Sequence, residues 1–357
     1  MKAPGIVQRH PELRWLGSIA FIVAAVALVS TTVSGVFRER SALPVTGPDQ
    51  LVDQLRAPHM GGYSGTILAQ VDLGLPRTVT TAITAAAPAG ALLRGSHTLR
   101  YWYGDDEHQR VAVIGQTSEQ DVFRNGSQVW HWDTSTHVAR RSTVADSPDG
   151  AVPLRLDSPA ALTPPELARR IFDTVGATSD TVLRSGGKVA GRPTYELVVH
   201  PDSATSLIDS VTIELDGKES VPLGVQIFAA GGTRPVLDVS FTDVAFGAPA
   251  AQNFTFRPPA GARVETGGAD PVGAVLDKAA LLGSGWNTVV SYRSSSASGP
   301  TLAALGFQML GSDAAHVKGT WGSGRLLRTP ALSVLVTAKG QVVAGAVRPD
   351  VLYRYCK

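Results

Sequence analysis

From Tyr63 to Phe246 apolar and polar residues alternate in short runs separated by turn residues, the pattern of half-buried strands. Tyr63 to Leu73 is the first expected strand, led in by the turn Gly61-Gly62. His97 to Tyr103 puts Leu99, Tyr101 and Tyr103 on one face, and Gln109 to Ile114 returns after Gly104, Asp105 and Asp106. Asp121 to Arg124 runs into Asn125-Gly126, a hairpin signal because both residues tolerate positive φ. Ser127 to Asp133 and His137 to Ser142 extend this meander. Strands then follow at Thr181 to Val189, Thr194 to His200, Ser210 to Leu215, Pro222 to Ala229 and Val236 to Phe246, with a short edge strand at Asn253 to Arg257.

The period changes in a few places. Asp49 to Ala57 fits a short helix with Leu51, Val52 and Leu55 on one face. Thr163-Pro164-Pro165-Glu166 opens a second helix to about Val175, with Thr163 as N-cap and an apolar stripe of Leu167, Ile171, Phe172 and Val175. Gly74 to Gly95, rich in Ala, Thr and Pro, is expected to be a long loop or mobile flap, and Ala145 to Ser158 a loop. Beyond Ala269 the expectation is a helix at Val272 to Leu282, a Ser-rich loop at Ser291 to Pro300, and a helix at Thr301 to Leu310. A hairpin of Leu326 to Thr337 with Gln341 to Val347 around Lys339-Gly340 follows, then a closing helix at Pro349 to Tyr355. This adds up to an α+β, β-rich fold: a large curved antiparallel sheet of about ten or eleven strands, with helices on its concave face and a small C-terminal α+β extension.

Ahead of the strands, Trp15 to Phe37 carries no charge and spans about 23 residues, enough for a helix to cross a membrane. Lys2, Arg9 and Arg14 precede it, while Arg38, Glu39 and Arg40 nearly cancel. The positive-inside rule then places residues 1–14 in the cytoplasm and the body outside, on the periplasmic side of a bacterial cell membrane. A cleaved signal peptide shares this layout; the absence of a good A-x-A site favours an uncleaved anchor, with cleavage and secretion as the alternative. No Cys follows the apolar run, so lipoprotein processing is excluded. The expected organisation is 1–14 cytoplasmic, 15–37 transmembrane helix or signal anchor, 38–48 linker, 49–265 β-rich domain and 266–357 extension.

Composition narrows the function classes. The formal net charge is +2 over 357 residues, which gives no reason to expect nucleic acid. The single cysteine, Cys356, rules out an intramolecular disulfide and a thiolate zinc site. Asp105-Asp106-Glu107-His108 falls at a hairpin turn, where acidic residues are ordinary, so no metal and no cofactor are expected. The chain contains no G-x-S-x-G, Walker, H-E-x-x-H or dinucleotide fingerprint, and Gly61 to Gly65 precedes a strand rather than a phosphate-binding helix. No motif favours an enzyme. Trp130-His131-Trp132 puts both tryptophans on one strand face, either as ordinary packing or as an aromatic wall. If an apolar cavity exists, the expected lining is Ile67, Leu99, Tyr101, Trp130, Trp132, Leu197, Ile213, Ile227 and Val239, subject to the one-residue slip that flips every assignment.

The order of several segments resembles the LolA-like superfamily, the group of the outer-membrane lipoprotein carrier and the sigma-E regulator. These are Gly65-Thr66-Ile67-Leu68, Ser96 to Arg100, Asp121 to Gly126 with Val129-Trp130, Val189 to Leu197, Pro222-Leu223 with Gln226, and Phe254-Thr255-Phe256 before Pro258-Pro259. The match spans about residues 49 to 265, and Gly283 to Trp286 with the later hairpin is similar to membrane-tethered members. The resemblance implies an eleven-stranded incomplete barrel, a hydrophobic cavity for lipid or lipoprotein acyl chains, and no chemistry. Its regulator branch implies an alternative partner, a membrane anti-sigma factor. A tether, however, argues against shuttling between two membranes.

Overall fold

The computed structural model describes residues 47–56, 61–86, 88–143, 162–176, 179–266, 279–293, 310 and 313–356. The described residues belong to one unit, Ser41–Lys357. Among them no helix is long and apolar enough to cross a membrane; the segment read as a span, Trp15 to Phe37, lies outside them, as does the loop Ala145 to Ser158.

The described residues build two sheets. The first has twelve strands in the order β12-β6-β5-β4-β3-β2-β1-β11-β10-β9-β8-β7 and is curved but not closed. Its members are β1 (Tyr63–Asp72), β2 (Arg94–Asp105), β3 (His108–Ile114), β4 (Glu119–Asn125), β5 (Gln128–Asp133), β6 (Val138–Thr143), β7 (Ser179–Val189), β8 (Arg192–Pro201), β9 (Ile208–Asp216), β10 (Pro222–Ala229), β11 (Pro235–Phe246) and β12 (Arg263–Thr266). The first eleven pair antiparallel, and β12 alone joins in parallel, on β6. The turns follow their residues: Gly126 has φ 59° between β4 and β5, and Ala190 and Gly191 have φ 51° and 74° between β7 and β8. Positive φ at both central residues suits the twist of a tight hairpin.

One face of this sheet carries two helices. Helix α1 (Pro48–Arg56) buries Leu51 and Leu55. Of the three other helices among the described residues, two lie near the second sheet: α2 (Arg77–Ala86) and α4 (Pro349–Tyr353). The other, α3 (Pro164–Val175), turns Ala168, Phe172 and Val175 onto Leu197, Val199, Val211, Ile213, Leu215 and Val225. Thr163 takes the extended N-cap conformation and Pro164 the first helical position, but the Thr163 hydroxyl makes no capping bond.

The second sheet is six strands in the order β13-β14-β18-β17-β16-β15: β13 (Ala280–Leu282), β14 (Val289–Arg293), β15 (Ala315–Gly319), β16 (Gly322–Arg328), β17 (Ser333–Thr337) and β18 (Gln341–Gly345). On one side Leu326, Leu335 and Val343 meet Trp321 and α4 through Val351 and Leu352. On the other, Leu327 and Val336 meet Val79 of α2 and Leu75 just ahead of it.

Several expectations change. The segment Gly74 to Gly95 holds α2 and a 3-10 turn, Pro88–Leu93, not a loop. Its Ala/Thr run contains no Gly or Pro between Arg77 and Ala86, and Val79 of the helix, with Leu75 just ahead of it, finds an apolar partner in the second sheet. The helix expected at Val272 to Leu282 ends instead as strand β13; its earlier part lies outside the described residues. Ser291 to Arg293 belongs to β14, and the rest of that loop, like Thr301 to Gln308 of the next expected helix, lies outside as well. Leu326 to Thr337 is two strands because Pro330 interrupts the ladder. Thr329 closes the turn there, its N–H donating to the Leu332 carbonyl at 2.9 Å. Asn253 to Arg257 forms no strand: Ala251–Phe254 is a 3-10 turn, and the edge pairing falls to β12.

Candidate functional site

Cross-strand partners share a face, so the register assigns every side chain of the large sheet to one side or the other. On the side carrying α3, one row runs Leu183, Leu197, Ile213, Val225, Val239, Ala69 across β7, β8, β9, β10, β11 and β1. A second runs Phe241, Ile67, Leu99, Val113 across β11, β1, β2 and β3. Apolar side chains fill both rows, and Ile67, Leu99, Leu197, Ile213 and Val239 are each 0% exposed. Ile227 occupies a third row between Val211 and Leu237 and is half-buried.

Tyr101 closes one end of this surface. Its ring meets that of Tyr63 edge-on at 5.8 Å, and Tyr63 stacks on Tyr103 at 4.9 Å. The hydroxyls have local acceptors: Tyr103 donates to Asp106 Oδ1 at 3.0 Å, and Tyr101 leans on Gln109 Oε1 at 3.4 Å. Burial, then neighbouring phenols and the carboxylates of Asp106 and Glu166, push the Tyr101 hydroxyl far above its usual range. These phenols stay neutral donors at any physiological pH.

Trp130 and Trp132 are on the other side. Trp130 pairs with Phe123, and Trp132 with Asp121; those face Arg110 and Ala112, which face Trp102 and Arg100 of β2. Trp102 and Arg100 alternate with Leu99 and Tyr101 along the strand, so the two tryptophans cannot share a cavity with the other seven residues. They do share a face with each other, while His131 between them turns to the α3 side opposite Val122. The segment leaving β11 fills their side. Phe256 stacks on Phe123 at 4.9 Å and meets Trp130 and Trp132 at 5.5 and 5.9 Å. Arg110 lies between the Trp102 and Phe123 rings, 4.6 Å from each centroid, and pairs with Asp121 at 2.7 Å. Burial pushes the Asp121 carboxyl up to about 6 against the pull of that guanidinium.

Asp105 serves its turn, accepting the backbone N–H groups of Glu107 and His108 at 2.8 and 2.9 Å and the His108 ring. Among the described residues no three of His, Cys, Asp and Glu gather as metal ligands. A pocket of about 440 Å³ lies beside α2, lined by Thr80, Thr81, Thr84, Gly90, Ala91 and Arg94, and shares no residue with the apolar rows.

Sequence reasoning missed Trp286 and Ser179. The Trp286 side chain, from the 3-10 turn Gly285–Asn287 before β14, packs into the α3 cluster, and its indole N–H donates to Ser179 Oγ at 2.7 Å. The motif Gly283 to Trp286 stood out only as a resemblance; nothing local in it indicates where the ring goes.

No family model and no curated protein matches the chain. Among solved structures it is similar to MucB in complex with MucA from Pseudomonas aeruginosa, at 15% identity over 86% of this chain and 94% of that one, with a TM-score of 0.43. It is also similar to a LolA superfamily protein from Nitrosomonas europaea, at 10% identity over 59% of this chain and 99% of that one, with a TM-score of 0.25. A putative outer membrane lipoprotein-sorting protein domain from Vibrio parahaemolyticus gives 11% identity over 58% and 96%, with a TM-score of 0.24.

Proposed function

We propose that the protein is a non-catalytic binder of lipid or lipoprotein acyl chains, held at the outer face of a bacterial cell membrane by Trp15 to Phe37. The observation that carries this reading is the pair of apolar rows on the α3 side of an open sheet, whose cover among the described residues is the amphipathic helix α3, with Leu55 of α1 and Trp286 beside it, rather than a second sheet. A helix of this kind is held by side-chain packing, so a hydrocarbon chain can replace it on Leu197, Ile213 and Val239 with little change in buried apolar area. No polar group interrupts the rows, which suits an alkyl chain and offers nothing to activate a bond. The acyl site within the expected lining is then Ile67, Leu99, Tyr101, Leu197, Ile213, Ile227 and Val239, without the tryptophans. Native mass spectrometry and lipid extraction of the purified chain test this. Co-purifying lipid, or saturable binding of a fluorescent fatty acid, is expected; a chain that is repeatedly lipid-free and takes up no probe overturns it.

A second reading, a regulator docking on the outer part of an anti-sigma factor, draws on the sequence resemblance and on β15, an edge strand of the second sheet with exposed His316 and Lys318. Such an edge can add a strand from a partner. Pull-downs that never recover a membrane anti-sigma protein would remove it.

A further inference from the structure

We infer that α3 is a latched lid, and that the latch is the second sheet's Trp286 acting through Ser179 on the last turn of the helix; this rests on the acyl-chain reading above. Three observations meet at one place. The apolar stripe of α3, Ala168, Phe172 and Val175, rests on the rows that would hold the chain. Ser179, the first residue of β7, donates its hydroxyl to the Val175 carbonyl at 2.6 Å, which is one of the orphan acceptors at the end of α3. The same Ser179 oxygen accepts the Trp286 indole N–H at 2.7 Å, and the Trp286 ring packs among the residues that α3 covers.

The next residue fixes the other side of the clamp. Asn287 Oδ1 accepts from Ser203 Oγ at 3.0 Å and from Thr205 Oγ1 at 2.5 Å, in the connection between β8 and β9. That connection is itself stitched to the second sheet, where Leu207 N–H donates to the Ala346 carbonyl at 2.9 Å and Arg348 N–H to the Thr205 carbonyl at 2.8 Å. Trp286 is therefore carried on a support held by several hydrogen bonds, and it reaches the end of α3 through the Ser179 relay. Anything that moves the second sheet against β8 and β9 pulls the indole from Ser179 and releases the helix terminus. The second sheet would in this way control access to the apolar face.

Two variants test the relay: Ser179→Ala removes the hydroxyl, and Trp286→Phe keeps an aromatic ring, loses the N–H and is the smaller side chain. In the full-length chain reconstituted in nanodiscs, hydrogen exchange of residues 164–175 is compared with that of β8 and β9, and binding of dansyl-undecanoic acid is measured in parallel. Loss of one net hydrogen bond is expected to raise exchange in α3 about fivefold, leaving β8 and β9 unchanged. Apparent affinity for the probe should rise by a similar factor, because the open fraction rises. The double variant should do no more than either single one, since both cut the same relay. Unchanged α3 exchange in both variants overturns the latch. Faster exchange with unchanged probe affinity overturns α3 as the lid. No probe uptake by any form overturns the acyl-chain reading, and faster α3 exchange in that case still supports the latch.

Discussion

The two faces of the twelve-stranded sheet are covered in different ways. On one, aliphatic rows from β7 to β3 lie under α3, a helix that docks by packing. On the other, buried Phe123 with half-buried Trp130 and Trp132 takes Phe256 from a strap that then continues into β12 and pairs with β6. The strap is secured at both ends by main-chain hydrogen bonds, and its charged residues add to this: Arg140 bonds Glu265 at 3.1 Å. A face with charged and aromatic residues and a paired strap is suited to permanence. An aliphatic face under a packed helix is suited to exchange of its cover. Aromatic residues alone were therefore a poor guide to a ligand wall, because here they hold the chain's own strap.

That contrast can be broken by mutation. The largest effect is expected at Ile213→Ala, on a fully buried position of the α3 face, at about 2–5 kcal/mol of stability by chemical denaturation. Phe256→Ala, at a half-buried position, should cost about 1–3 kcal/mol and shift tryptophan emission through Trp130 and Trp132. If Phe256→Ala proved the costlier, the strap and not the α3 face would be the stabilising core of the sheet. Among the residues described, charge sharpens the comparison because the α3-side rows contain no carboxylate, whereas Asp121 is buried on the other side. Its carboxyl is raised to about 6 from an unfolded value near 3.8, so the folded protein holds the extra proton between these values. Stability from this group is thus full below the unfolded value and is lost as pH rises through 6. Asp121→Asn should flatten that part of the thermal midpoint against pH, and an unchanged profile would remove Asp121 as its source. Asp216 has the opposite sign. Burial raises its pKa, but the Arg192 guanidinium and the N–H groups of Glu219 and Lys218 outweigh this and lower it, so its contribution is present above 3.8 and lost as pH falls through the lower folded value. Least is expected of Arg169→Ala on the outer side of α3. Its side chain is 42% exposed and its pairs with Glu166 and Asp173 are screened, so the loss should be under about 0.5 kcal/mol.

Much of the sheet was legible. Strands β1 to β11 announce themselves by period two and by turn residues such as Asn125-Gly126, because each buries one side against a common layer. Helix α3 was legible for the same reason at period 3.6, with Thr163 and Pro164 marking its start. Helix α2 was not, since an Ala/Thr run without charge carries a weak stripe and becomes a helix through Leu327 and Val336 of a sheet formed some 240 residues later. Strands β13 and β14 are short and sit in Ser- and Gly-rich sequence, so the pairing of β13 with β14 and of β14 with β18 decides them more than their own composition does.

Of the expected lining, the alternation along each strand was legible but the side of the sheet was not. Alternation states that Trp130 and Trp132 share a face and that Leu99 and Tyr101 share a face; it says nothing of whether the two faces coincide. That depends on register through β3 and β4, where one residue of slip exchanges the sides. By itself the sequence determined strands β1 to β11, the apolar stripe of α3 and a near-neutral chain without catalytic motifs. The tertiary structure decided which side of the sheet holds the aliphatic rows, that Phe256 occupies the aromatic group, and that Trp286 reaches Ser179 across 107 residues. Periodicity is a local property of the chain, whereas a face and a latch exist only between segments brought together by folding.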